Sequence, residues 1–204
     1  MAEGLLSLGL MAMWGLVHSL LAARRVKQVL EPKLGRGYRL FYNLAAGVTL
    51  LPVLALTAWR PGEVLYQVPS PWRWGMMALQ LWAVLAAAVT LLQTDIWRFL
   101  GLRQLLQPQP LAPNRLTVNG FYRWVRHPLY FFSLVLLWFS PLMTVNLLIL
   151  YLAFSLYFYI GAIFEERKLV GQFGPAYQAY QQRTPMLIPW KMTKIIPEMR
   201  GMGD

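Results

Sequence analysis

The sequence predicts an all-α, polytopic membrane bundle of about five transmembrane helices, closed by a hairpin of the last two and a cytosolic C-terminal segment. Three observations predict it: the composition, the lengths of the apolar runs, and the alternation of basic and uncharged loops. Of 204 residues, 57% are hydrophobic and only 13% charged, against roughly 25% charged in an ordinary soluble domain. A chain this short has no interior large enough for that much apolar side chain, so the excess faces lipid.

A helix needs roughly 20 apolar residues to cross a bilayer. Leu5 to Ala22 is the first run, without the basic start or cleavage-site chemistry of a signal peptide. Leu40 to Trp59 is the second, with Pro52 as a kink candidate. Trp74 to Gln93 is the third, and its Ala83, Ala86, Ala87 and Ala88 allow close helix approach. The fourth, Pro128 to about Met143, covers only about 24 Å of an apolar core about 30 Å thick. Thr144-Val145-Asn146 is a polar turn, and Leu147 to Phe164 is the fifth run. A short, tightly turned hairpin leaves room for a site at one face. Local thinning of the bilayer, or distortion at Ser140-Pro141, is the competing explanation.

Orientation follows the basic residues. Residues 23 to 39 hold Arg24, Arg25, Lys27, Lys33, Arg36 and Arg39 against Glu31. Residues 94 to 127 hold Arg98, Arg103, Arg115, Arg123 and Arg126 against Asp95, and the tail after Phe164 is again basic. Of basic residues the intervening segments carry only Arg60 and Arg73, or none at all. The expected topology is N-terminus outside and C-terminus cytoplasmic, in the inner membrane. The net charge of +11 is then explained by basic loops, and the aromatic residues lie in lipid-length runs. No nucleic-acid partner is expected. With no cysteine and two histidines, His18 and His127, neither a thiolate nor a multi-histidine metal site is available. No repeat or separate soluble domain is visible, so residues 1–204 read as one membrane domain. Gln107 to Pro113 reads as a proline-rich surface loop.

Most of the reactive polar groups fall on the cytoplasmic side, densest from Gly120 to Tyr130. Pro128 suits a first helical turn and holds His127 off helical geometry. Arg126 and His127 therefore meet a helix N-terminus, which favours an anion. The competing assignment is a lipid-phosphate contact for Arg126 and a capping role for His127. Glu165 and Glu166 end the fifth run, against the preference of a helix C-terminus, and need a cationic partner. Arg126, a cationic ligand, or the neighbouring Arg167 and Lys168 would serve. Asp95 is a base or a solvated helix end. His18 is a buried proton carrier or a hydrogen-bonded interfacial histidine.

Gly120-Phe121-Tyr122, Arg126-His127-Pro128-Leu129-Tyr130, Glu165-Glu166 and Phe173-Gly174 occur in order, followed by Tyr177, Tyr180, Pro185 and Pro189. Together they resemble the isoprenylcysteine carboxyl methyltransferase-like membrane enzymes over residues 114–190. The N-terminal features His18-Ser19, Arg39-Leu40-Phe41-Tyr42-Asn43 and Phe99-Leu100-Gly101-Leu102-Arg103-Gln104 are similar to the NnrU and methanethiol S-methyltransferase branch. The resemblance implies S-adenosylmethionine as cofactor, contacted by Leu116, Thr117, Tyr122, His127, Pro128, Leu129, Tyr130 and Glu166. It leaves Asp95, Arg126 and Glu165 as catalytic candidates. Carboxyl-methylating relatives carry a basic residue about one turn before the glutamate pair, and Tyr159 to Phe164 has none. Phe132 stands where a small residue is usual, which narrows the expected acceptor pocket. Both departures favour a small lipophilic acceptor from the bilayer, a thiol such as methanethiol first. The alternatives are a prenylcysteine carboxyl methyltransferase, a sterol-reductase-like oxidoreductase, and a non-enzymatic accessory protein.

Overall fold

The computed structural model describes residues 2–107 and 116–191. Of the loop at Gln107 to Pro113, all but Gln107 lies outside the described residues. In chain order the elements are α1 (Ala2–Ala22), α2 (Arg24–Leu34), α3 (Tyr38–Trp59), β1 (Val64–Gln67), α4 (Trp72–Gln93), α5 (Ile96–Leu100) and α6 (Leu102–Leu106). They continue with α7 (Pro128–Trp138), β2 (Leu142–Thr144), α8 (Val145–Phe173) and α9 (Pro175–Arg183). Short 3-10 turns at Gly35–Gly37 and Gly120–Arg123 complete the set.

Among the described residues, four helical runs are long and apolar enough to cross a bilayer: Gly4–Ala22, Arg24–Trp59, Trp72–Gln93 and Val145–Phe173. The protein is an integral membrane protein. The expected fourth span, Pro128 to Met143, is a shorter apolar helix of 11 residues, about 16 Å long. Its continuation is not the expected polar turn. Leu142–Thr144 forms a strand that pairs antiparallel with Val64–Gln67, Val64 opposite Thr144 and Gln67 opposite Leu142. The purely helical expectation therefore misses a small two-stranded ribbon. α8 has 29 residues, about 43 Å, so its last turns carry Glu165 and Glu166 beyond the length that lipid requires.

The helices pack into two compact units, each drawn from separate stretches of chain. The first comprises residues 1–69, 95–111 and 141–154. Here α1 packs on α3, with the Trp14 indole donating to the Ala46 carbonyl at 2.9 Å. His18 is bonded to the Tyr42 hydroxyl and lies against the Trp14 ring, as a hydrogen-bonded histidine at a helix contact. Pro52 sits inside α3 without ending it, as lipid-embedded helices permit. The ribbon is fixed to the start of α8 by the Asn146 amide, which donates to the Arg60 carbonyl, and by the Val145 amide, which donates to Glu63.

Two sequence motifs of this unit turn out to be partners. Asn43 on α3 donates to the Phe99 and Leu100 carbonyls at 2.9 and 3.0 Å, and Arg39 donates to Phe99 at 3.0 Å. These bonds close the C-terminus of α5. The elbow between α5 and α6 is Gly101, at φ +92°, where an added Cβ would lie 2.6 Å from the Leu40 nitrogen. Gly101→Ala meets both the left-handed penalty of roughly 1–2 kcal/mol and a clash with backbone that cannot swing away. The expected loss is at least ~2 kcal/mol, read as a lower thermal midpoint in detergent. An unchanged midpoint would mean that the elbow is not seated on α3.

The second unit comprises residues 70–94, 112–140 and 155–204. α4 and α7 meet through small residues: Ala83 and Ala86 are buried against Phe132, the close approach that lipid-embedded helices favour. The Phe132 ring makes edge contacts with Trp82 and Phe121, with centroids 5.3 and 4.8 Å away. Gly120, at φ +61°, lets the chain pass Gln93, whose side-chain oxygen accepts from the Phe121 amide at 3.3 Å.

Candidate active site

The second unit gathers the motif residues at the start of α7, the end of α8 and the face of α9. Pro128 takes the first helical position and His127 is the residue before it, at φ −122° and ψ 67°. Two backbone bonds fix this entry: the Arg126 amide donates to the Pro185 carbonyl at 2.9 Å, and the His127 amide to Met186 at 3.2 Å. Pro185 thus belongs to the stretch after α9 that accepts from the RHP motif, and having no N–H it does not compete as a donor.

Arg126 and Glu166 form the hub. The guanidinium grips the carboxylate with two bonds, Nε to Oε1 at 2.5 Å and Nη2 to Oε2 at 2.8 Å. Its Nη1 donates to the carbonyls of Gln181 and Thr184. The other donors to Glu166 are Gln181 at 2.5 Å, Tyr177 at 3.2 Å and His127 Nε2 at 3.2 Å. Both side chains of the ion pair are about one tenth exposed, so the pair works in a poorly screened setting. A carboxylate offers about four acceptor positions, and five donors already surround this one.

Glu165 is different. Its side chain is 47% exposed, 3.4 Å from His127 Nδ1 and 3.2 Å from the Tyr130 hydroxyl. The imidazole therefore faces a carboxylate from each nitrogen, an arrangement only a doubly protonated ring satisfies. Burial pushes its pKa down, but the hydrogen bonds and charges of Glu165 and Glu166 overcome this and hold it above its ordinary value of 6.5. A histidine raised on folding stabilises fully below about pH 6.5 and loses that contribution as pH rises through its folded value. The thermal midpoint should accordingly fall from pH 6.5 upward, and His127→Gln should flatten the decline. Equal slopes in a pH series of melts would show that the imidazolium is not the cause.

The aromatic residues line up with this charge. His127, Tyr130 and Phe158 stack in sequence, their planes within 10° and centroids 5.5 and 5.3 Å apart. Tyr122 is half-buried, its phenol pushed up to about 12 by burial and by the Glu165 charge, and its carbonyl accepts from the Tyr180 hydroxyl at 2.5 Å. Leu116 and Thr117 lie half-buried in the extended stretch before the Gly120 turn, Pro128 is buried and Leu129 half-buried. Asp95 belongs to the first unit, where it caps α5 through the Arg98 amide at 3.0 Å and pairs with Arg103. Phe132 faces α4 and is core, not a wall beside Tyr130. Sequence reasoning singled out Tyr177 as a motif residue but did not pair it with Glu166, and it missed Gln181. The signal was their spacing: four apart, on a short helix opened by Gly174-Pro175, they share one face.

The model of the family described as "Protein of unknown function (DUF1295)" matches residues 8–184. The chain belongs to this family. Among curated relatives it is similar to methanethiol S-methyltransferase 1 of Bradyrhizobium diazoefficiens, 32% identical over 92% of this chain and 67% of that protein. It is also similar to the methanethiol S-methyltransferases of Crocosphaera subtropica (28%, covering 91% and 74%) and Mycobacterium tuberculosis (30%, covering 90% and 77%). No solved structure matches. The branch that the sequence resembles is thus the branch to which its relatives belong.

Proposed function

We propose that this protein is a membrane methyltransferase that moves a methyl group from S-adenosylmethionine to a small lipophilic thiol such as methanethiol. One observation carries the reading beyond the names of the relatives. Arg126, His127, Tyr130, Glu165, Glu166 and Tyr177, scattered over 52 positions of the sequence, join in one hydrogen-bonded cluster.

The donor groups match the cofactor's chemistry. Its carboxylate suits the first turn of α7, because a helix N-terminus favours an anion. Its sulfonium suits the aromatic face of Tyr122, and its amine and ribose hydroxyls suit a carboxylate. Leu116, Thr117 and Pro128 would border it. The cofactor supplies a methyl on a sulfonium, whose charge is quenched on transfer; the protein aligns the reactants and excludes water. Because Glu166 is saturated with donors, we assign it to holding Arg126 and His127 in place, and assign the open acidic position to Glu165.

The ribbon supports five crossings, and the basic loops support a cytoplasmic C-terminus. β1 lies between α3 and α4, so it sits on the face they share. β2 pairs with β1, so residues 128–141 must return from the opposite face. Eleven helical residues and three extended ones reach about 26 Å. In a chain without cysteine, single replacements Glu63→Cys and Asn119→Cys should label from opposite sides with an impermeant reagent. Labelling from one side refutes this path.

The functional test uses purified protein with labelled S-adenosylmethionine or NADPH, then methanethiol or a farnesylcysteine analogue. Binding of the first cofactor and formation of dimethyl sulfide are expected. NADPH binding alone points to a reductase, prenylcysteine methylation alone to a carboxyl methyltransferase, and no cofactor binding to an accessory protein.

A further inference from the structure

The face of α8 below Glu165 carries a gap. Phe158, Gly161 and Glu165 are spaced three and four apart, so they lie along one side of the helix. Tyr130 on α7 runs past this side: its ring stacks on Phe158 and its hydroxyl bonds to Glu165 at 3.2 Å. A Cβ added to Gly161 would meet the same hydroxyl at 3.8 Å. The missing side chain thus leaves a notch about one methyl deep. It is bounded by the Tyr130 phenol, which itself stacks on Phe158 and bonds the Glu165 carboxylate. Neighbouring Ile160 and Phe164 are exposed along the apolar surface of α8.

These features sort acceptors. The notch is too shallow for a prenyl chain, and the charged group bonded to its Tyr130 wall is the Glu165 carboxylate, which disfavours a carboxylate acceptor. A neutral group with a short apolar tail and a removable proton fits. Resting on the methyltransferase reading above, we propose that the Gly161 notch seats the sulfur of a small alkanethiol and that Glu165, oriented by Tyr130 and His127, takes its proton. The thiol S–H bond breaks and its proton passes to the Glu165 carboxylate. The sulfur's electron pair forms the new bond to the donor methyl. The old bond from that methyl to the sulfonium breaks, and its pair stays on the donor sulfur. Glu165, half open to solvent, then releases the proton, and a neutral thioether leaves through the apolar side. Tyr130 and His127 act as positioning residues for this carboxylate.

Ethanethiol and 2,2,2-trifluoroethanethiol share the same two-carbon skeleton but differ strongly in acidity, and the second, bulkier at its terminal carbon, has a fluorine resonance that reports binding without turnover. Gly161→Val should abolish the fluorine-detected thiol binding while the protein still binds labelled S-adenosylmethionine. Glu165→Gln should keep both binding events. It should lower ethanethiol turnover by about 10²-fold, the scale of a lost general base, and trifluoroethanethiol turnover by less than about tenfold, because that thiol ionises unaided. Equal losses for the two thiols, or loss of cofactor binding in Glu165→Gln, would overturn the assignment and give the carboxylate to the cofactor. Wild-type thiol binding by Gly161→Val would overturn the notch. If the unmodified protein binds cofactor and thiol but transfers no methyl, the methyltransferase reading fails and the role of Glu165 falls with it, while the fluorine titration still decides the notch.

Discussion

Arg126→Ala is expected to destabilise the protein by about 3–5 kcal/mol, the range for removing one partner of a buried ion pair. The cost lies in what is left behind. Glu166 would keep its burial and lose both bonds of the fork, and the carbonyls of Gln181 and Thr184 would lose their donor. Arg126→Lys should recover only part of the loss, because an ammonium is a point charge and cannot reproduce a fork reaching four acceptors. Glu166→Ala should cost a similar amount. The double variant should cost about 1–3 kcal/mol less than the sum, since removing both leaves no uncompensated charge. Thermal or denaturant unfolding in detergent reads all four. Additive losses would show that the two residues stabilise the protein separately, and the hub would be dismissed.

The bundle and the membership of the site were legible in the sequence for physical reasons that do not depend on detail. Apolar runs must span lipid, so the ends of α1, α3 and α4 lie within a few residues of the runs, while α8 runs nine residues past Phe164. Arg126, His127 and Glu166 were legible as candidates because charged groups beside an apolar run require answering charges, although Glu166 lies seven residues before the end of α8 and not at a helix end. What was not legible is which partner each charge takes. The free choice for Glu165 and Glu166 between Arg126, Arg167 and Lys168 was resolved by tertiary placement: adjacent residues on a helix point about 100° apart, so only one of the two meets Arg126. The ribbon escaped notice because Val64–Gln67 and Leu142–Thr144 are too short to show a period of two, and their pairing joins segments far apart in the chain.

Phe132→Ala tests the position where sequence and structure differ most in consequence. α7 reads Pro128-Leu129-Tyr130-Phe131-Phe132-Ser133-Leu134-Val135-Leu136-Leu137-Trp138, apolar on nearly every side. A helix surrounded by lipid and apolar neighbours has no polar face to reveal its orientation, so the expectation of a pocket wall at Phe132 rested on neighbouring motif positions alone. In the structure the ring is 1% exposed, inserted between Ala83 and Ala86 of α4 and edged by Trp82 and Phe121. Tyr130, two residues earlier, is turned by about 200° and meets α8 instead. Truncating Phe132 would leave a cavity between two helices whose association depends on van der Waals contact, because lipid gives no hydrophobic drive to bring them together. The expected loss is near the lower end of the about 3–5 kcal/mol for a buried phenylalanine, with Phe132→Leu losing clearly less. Thiol preference should be unchanged in whatever fraction stays folded. A Phe132→Ala or Phe132→Gly protein of wild-type stability that accepts bulkier thiols would return Phe132 to the acceptor pocket and move the acceptor from the Gly161 side of Tyr130 to the α4 side of α7.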